Sequence, residues 1–403
     1  MNKKVMALAV AGVLAAPAAF AQSSNVQLYG RANLGFDWYE ADGSNVAGAN
    51  YSGRFRVFDN SSRVGLRGTE DLGNGLKAIF QIETGVNVDN GSTTGQGGQA
   101  NASSGTWASR DSFVGLDSGW GRLTFGRQSI YWANGELAQF AANYINTEIP
   151  WTNGTSMGRV SSGAGVPAVI ARTSNVMQYT TPTFSGFNAT LSYSPNFQEA
   201  VQNNNSVDTD GQIWGATVRG AFGPVYGQVD YAKVDGNTVT VGVNNGAQVD
   251  YDLWKAGIGW KYMPGANLSF IWAYNKNNNT LGVNTVAGAG PKIDQSGYTI
   301  NWEQTFGNIQ VMAQYGWLDD INGCNGTETV SCGSTGAQAW MVGARYLLSK
   351  RTWLYASYNQ VKNDDNQFVD YNGAAQTSRN PATSITPYGA DPQIWALGIF
   401  HAF

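Results

Sequence analysis

His401 is the only histidine of this 403-residue chain, and its place at the extreme C-terminus restricts the catalysis available. Gly154-Thr-Ser-Met-Gly158 has the spacing of a nucleophile elbow. A serine nucleophile needs a base within hydrogen-bond reach and a strand-turn-helix frame, and this polar stretch offers neither. Cys324 and Cys332 stand eight apart in a turn-rich segment without further metal ligands. Two thiols are too few for a zinc site, and in an exported chain such a pair is expected as a disulfide across one loop. No glycine-rich phosphate loop, metal cluster or carboxylate pair in a convincing context occurs elsewhere, so neither enzyme chemistry nor a cofactor is expected.

The chemistry that remains is electrostatic. Val64 and Leu66 alternate with Arg63 and Arg67; Leu76, Ala78 and Phe80 flank the parity of Lys77; Leu123 and Phe125 oppose Arg122; and Arg31 follows the same rule among Leu28, Leu34 and Phe36. In a strand these cations share a face opposite the apolar one, while the parity of Arg110 and Arg127 is ambiguous. Ser129 to Ala171 is the longest stretch without a strand pattern, and it holds Glu136 and Glu148. There Asn134 is expected to cap a short helix carrying Leu137, Phe140 and Tyr144 on one face. Cations facing those carboxylates across water would set up a transverse field that orients dipolar solutes and disfavours apolar ones. The blander alternatives are an outer flap with solvated carboxylates and, for Arg122, a charge at the rim.

Such a ladder needs strands with one apolar and one polar face. The chain ends on Trp395, Leu397, Ile399, His401 and Phe403 at every second position. That pattern suits a lipid-facing strand closing a barrel. Lys3 and Lys4 precede an apolar stretch ending in Ala19-Phe20-Ala21, which reads as a cleaved signal peptide over residues 1–21, with residues 22–403 as one domain. Charged residues are 13% of the chain where about a quarter is usual, while Gly reaches 51. Mean hydropathy is −0.27, and no long apolar run follows the leader. The net charge of −4 argues against nucleic acid as a partner.

Alternating runs begin near Val26, Ser61, Leu76, Trp107, Gly121, Thr173, Phe184, Gln212, Val225, Asp250, Asn267, Ile293, Ile309, Ala337, Thr352 and Gln393. Tight turns such as Asp71–Gly75 and Met263–Ala266 alternate with long polar stretches such as Gln198–Gly211 and Lys362–Pro392. This is the rhythm of an all-β, 16-stranded antiparallel transmembrane barrel, a size that encloses an aqueous channel.

Several segments resemble the general trimeric porins of Gram-negative bacteria, of the beta-proteobacterial type. They are Val26–Arg31, Ser62–Glu83, Phe113–Leu116 with Gly121–Gln128, and the terminal strand. The resemblance implies a homotrimer in the outer membrane among its lipids and lipopolysaccharide, with a third loop folded inward to narrow the pore. It also implies that Phe403 is an assembly signal for the barrel-assembly machinery. The expected function is passive diffusion of small hydrophilic solutes and ions. The basic side of the constriction would be Arg31, Arg63, Arg67, Lys77, Arg110, Arg122 and Arg127, and the acidic side Glu136 and Glu148. The cysteine pair departs from the family pattern. Tyr131, Trp132, Tyr144 and Trp151 in the long loop keep a substrate-selective channel open as an alternative; a plugged, adhesin-like barrel is a further one.

Overall fold

The computed structural model describes residues 25–45, 47, 50–89, 107–131, 149–153, 157–158, 160, 172–195, 211–241, 244–278, 292–324, 332–371 and 388–403. The expected leader, the expected helix after Asn134, Glu136 and Glu148 lie outside them. The strands are β1 (Asn25–Asp42), β2 (Tyr51–Asp59), β3 (Arg63–Gly73), β4 (Leu76–Gly85), β5 (Ser112–Ser118), β6 (Gly121–Gln128), β7 (Thr173–Thr180), β8 (Phe187–Ser194) and β9 (Gly211–Phe222). They continue with β10 (Val225–Val241), β11 (Asn244–Met263), β12 (Ala266–Asn277), β13 (Ile293–Phe306), β14 (Ile309–Leu318), β15 (Ala337–Leu347), β16 (Thr352–Asn363) and β17 (Asp391–Ala402).

All belong to one antiparallel sheet that closes on itself. One edge of β1 pairs with β17, from Arg31↔Ala402 to Asp42↔Asp391. Its other edge pairs with β3 below and β2 above. β2 and β3 are therefore two halves of one stave, and the barrel has sixteen staves, as the alternation predicts. The break between the halves is built from polar contacts. Ser61 takes φ 64°, the Asn60 amide donates to the Asn33 carbonyl at 2.8 Å, and the Ser62 amide donates to Asp59 Oδ1 at 2.8 Å.

The sequence reading missed β2, because Asn60-Ser61-Ser62 looks like the end of a loop when it is a kink within a stave. It also starts β11 at Asp250, whereas the strand begins at Asn244 as one arm of a long hairpin with β10. The strand expected near Trp107 begins at Ser112.

Side chains alternate as a membrane barrel requires. On β12, Leu268 and Phe270 point outward, while Ser269, Ile271, Asn275 and Asn277 are buried inside. Outward-facing Trp38–Phe55, Tyr231–Trp254 and Tyr298–Trp317 pairs form aromatic contacts between neighbouring strands.

The described parts of the stretch after β6 lie against inward-facing residues. Ile130 and Tyr131 pack with Ile213, Ala232, Tyr251 and Leu253. Farther along, Pro150–Asn153 forms a 3-10 turn beside β12 and β13. The Trp151 indole N–H donates to the Tyr298 carbonyl at 2.9 Å, and the ring sits where Gly297 and Gly316 have no side chain. A Cβ on Gly297 would come within 2.8 Å of that ring.

Cys324 and Cys332 are joined in a disulfide, with a Cα–Cα distance of 5.9 Å, between β14 and β15. Val160, Ile293 and Ile321 cluster beside it. Alkylation of unfolded, unreduced protein should leave both thiols unmodified by mass, and modification of both would show that the bond does not form in the native protein.

Candidate functional site

The charged side chains of the inner wall gather on the first staves. Glu83 on β4 is their hub. Arg110 Nε donates to Glu83 Oε1 at 2.5 Å, the Arg63 guanidinium lies 3.5 Å from the same oxygen, and the Tyr29 hydroxyl donates to Oε2 at 3.1 Å. Arg31, the register partner of Arg63, donates from Nε to the Ser61 carbonyl at 3.0 Å. Arg110 reaches the Ser61 hydroxyl as well, at 3.5 Å. The kink between β2 and β3 thus also serves as a ligand for two arginines.

Arg172, just before β7, pairs with Asp111 at 3.3 Å. Burial, and then the neighbouring Arg110, push its pKa down to about 10. Arg127 sits at a register shift in β6 and donates to the Ser109 carbonyl at 3.1 Å and the Ser174 hydroxyl at 3.0 Å. Arg31, Arg63, Arg110, Arg127 and Arg172 therefore surround Glu83 and Asp111, which leaves the group net positive. Charge-assisted hydrogen bonds of this kind hold guanidinium groups in fixed orientations.

The remaining expected cations lie lower in the barrel. Arg67 follows Arg63 by four residues, roughly 13 Å along the strand. Its Nε donates to Gln27 Oε1 at 3.1 Å, and its guanidinium lies 5.1 Å from the Tyr29 ring centroid. Lys77 is paired in register with Asp71 and Asp117, and Arg122 makes an ion pair with Asp117 at 2.6 Å. Both Arg122 and Asp117 are substantially exposed near the tight-turn end. Between these levels charges are separated by more than the ~8 Å screening length of physiological salt. The upper group is the compact one.

Sequence reasoning did not find Glu83, Asp111 or Arg172. Glu83 could have been found, since it shares the strand parity of Lys77. It also missed two neutralised pairs. Arg56 grips the buried Asp37 with bonds of 2.9–3.1 Å, and Lys255, which is 1% exposed, lies 3.7 Å from Asp230. Lys255 also donates to the Tyr131 carbonyl at 3.3 Å and lies 4.7 Å from that ring's centroid. Tyr131 and Trp151, candidates for a solute-binding aromatic surface, are instead fully buried as anchors on the wall. Trp132 and Tyr144 lie outside the described residues, as does most of the Gly154–Gly158 motif. At the mouth, Asp320 accepts from the Thr335 and Gly336 amides at 2.6 and 2.9 Å. Burial, and then Asp320, raise the carboxyl pKa of Asp364 above its ordinary value.

Residues 7–366 of the chain that forms this closed barrel match a family model for Gram-negative porins. The chain belongs to the Gram-negative porin family. Its place is accordingly the outer membrane. An outer membrane porin protein of Bordetella pertussis is 35% identical over 207 residues, 48% of each chain. The chain thus spans about half the length of that relative. Outer membrane porin protein 32 of Delftia acidovorans is 29% identical over 91% of each chain. Among solved structures, an anion-selective porin from Comamonas acidovorans superposes with a TM-score of 0.71 at 24% identity, covering 94% of this porin and all of that chain.

Replacing Glu83 by Gln would leave the buried Arg110 without its counter-charge, and removing one partner of a buried pair costs about 3 kcal/mol. The E83Q porin should unfold at a clearly lower temperature in detergent, whereas a Lys77→Gln variant should not. Equal melting of E83Q and wild type would show that Glu83 is not the hub.

Proposed function

We propose that the chain forms a water-filled channel through which small hydrophilic solutes and ions diffuse passively across the outer membrane, without cofactor, energy input or catalysis. One observation carries this reading: the closed sheet turns its apolar side chains outward and lines its interior with Asn, Gln, Ser, Thr and a cluster of arginines around Glu83. An interior of that kind is wettable and stabilises dissolved ions, whereas a soluble sandwich would bury the same staves' apolar faces against a second sheet.

The third loop, following β6, is proposed to cross the interior and narrow it. Support comes from two points along it, Tyr131 near its start and Trp151 midway, which are seated on wall residues of β9–β11 and β13–β14. Glu136 and Glu148 would then face the arginine group. In this reading residues 1–21 are a signal peptide removed on export, Phe403 is read by the assembly machinery, and three copies associate within lipid and lipopolysaccharide. The trimer rests on the family and on the trimer form reported for the similarly folded OmpT of Vibrio cholerae.

Because the upper arginines outnumber their nearby acids, the channel is read as weakly anion-preferring. The structurally similar Comamonas protein is described as anion-selective. Purified protein in liposomes should admit sugars at rates that fall smoothly with size. A rate depending on sugar identity at constant size would favour a substrate-selective channel, and no swelling at all would mean a plugged barrel. In planar bilayers, Arg63→Ser should move the reversal potential in a salt gradient towards cations, and an unchanged potential would remove Arg63 from the conducting path. Deletion of Phe403 should lower the yield of heat-modifiable barrel while leaving the conductance of each assembled channel unchanged.

A further inference from the structure

Four side chains on four consecutive strands form a continuous row across the barrel seam. Arg345 on β15 lies over the Trp353 ring on β16, with its guanidinium carbon 4.6 Å from the ring centroid. Trp353 stacks on Phe400 of β17 with centroids 3.8 Å apart and planes 6° from parallel. Arg31 of β1 lies over Phe400 at 5.8 Å. One face of each ring is occupied by the other ring, so the two guanidinium groups take the outer faces. The order along the wall is therefore cation, indole, phenyl, cation. All four have inward parity, and both rings are nearly buried within an apolar wall patch that includes Phe58, Met341 and Tyr355. Arg31 is also the register partner of Arg63, so the row runs on into the Glu83 cluster.

On the reading that this lumen conducts ions, we infer that Trp353 and Phe400 are positioning residues that set its charge selectivity by holding Arg31 and Arg345 flat against the wall. A guanidinium is planar, weakly hydrated and favours an aromatic face, whereas an ammonium carries no plane to stack. A stacked guanidinium holds its plane, and with it its charge, in one position on the wall. Without the ring the guanidinium loses the flat contact that fixes its plane, and the same charge samples a wider range of orientations about its remaining bonds, such as that from Arg31 to the Ser61 carbonyl. Two uncharged rings thereby extend the oriented positive wall from the Glu83 cluster across the seam to β15. The seam location also explains why a membrane barrel keeps two large rings inside at this height: the row ties the first strand to the last three by side-chain contacts as well as backbone bonds.

The test is the anion-to-cation permeability ratio, taken from reversal potentials of the full-length porin in potassium chloride gradients. Trp353→Leu and Phe400→Leu should each lower the ratio by about two-fold with no change in formal charge, and Arg345→Lys should do the same without opening a cavity. Trp353→Phe, which retains an aromatic face, should keep the wild-type ratio. A purely structural role would lower the unfolding temperature of the leucine variants and leave the ratio untouched. The inference is overturned if Trp353→Leu and Arg345→Lys keep the wild-type ratio while the double Arg31→Ser, Arg345→Ser variant lowers it. If that double variant also changes nothing, the arginine-lined channel reading fails together with the inference. Should the leucine variants not assemble, Arg345→Lys decides the matter alone.

Discussion

A strand edge left open in hydrocarbon exposes N–H and C=O groups that water cannot reach, at several kcal/mol for each, and this constraint governs the whole molecule. The sheet answers it by spending both edges of β1, one on β17 and the other on β2 and β3. The pairing runs to the last residue, since the Gly30 and Phe403 amides each donate to the other's carbonyl at 3.1 Å. Glycine is required at position 30 because the Phe403 ring occupies the space of a side chain there. Closure fixes strand parity, and parity fixes which side chains meet water. A slip of one residue would turn every arginine of the wall towards lipid, where each costs about 2–4 kcal/mol near the midplane.

The barrel interior is thus a polar wall carrying apolar patches, the inverse of a soluble core. The patches have distinct roles. Around Trp151, apolar residues of β12–β16 and the chain after Lys362 receive the 3-10 turn of the long loop, with Gly297 and Gly316 as the recess. Around Ile130 and Tyr131, residues of β9–β11 receive the start of the loop, and the buried Lys255–Asp230 pair adds a directional tie to the Tyr131 carbonyl. Packing of this sort resists small displacements because close-packed groups have few intermediate positions.

Charge is distributed unevenly around the circumference. On β10 and β11 the inward Lys255 and Asp230 offset one another, and on β1 and β2 Arg56 offsets Asp37. The first staves differ, since Arg63, Arg110 and Arg172 share Glu83 and Asp111 while Arg31 and Arg127 nearby bond to neutral oxygens. Outward-facing charge occurs as well. Lys233 is paired with Asp250 and Asp252 near the long-loop end, beyond the aromatic Tyr231 and Trp254, where polar headgroups rather than acyl chains would meet it.

Alternation with period two, the apolar terminal strand and the rhythm of short and long connections were enough to predict sixteen antiparallel staves, because each is a local consequence of one face meeting lipid and the other water. Inward parity for Arg31, Arg63, Arg67, Lys77 and Arg122 was legible for the same reason. What followed from tertiary structure alone was which of those cations meet. Height along the barrel depends on stagger between strands, and stagger is set by closure, so no single strand could show that Arg31 and Arg63 lie level with Glu83 and Arg110 while Lys77 and Arg122 lie far below. The kink that divides β2 from β3 was hidden likewise, since its polar residues also satisfy partners on a neighbouring strand, the Asn33 carbonyl and amide. The stack of Arg345, Trp353, Phe400 and Arg31 joins residues more than three hundred positions apart, and only the meeting of the first strand with the last brings Arg31 onto Phe400.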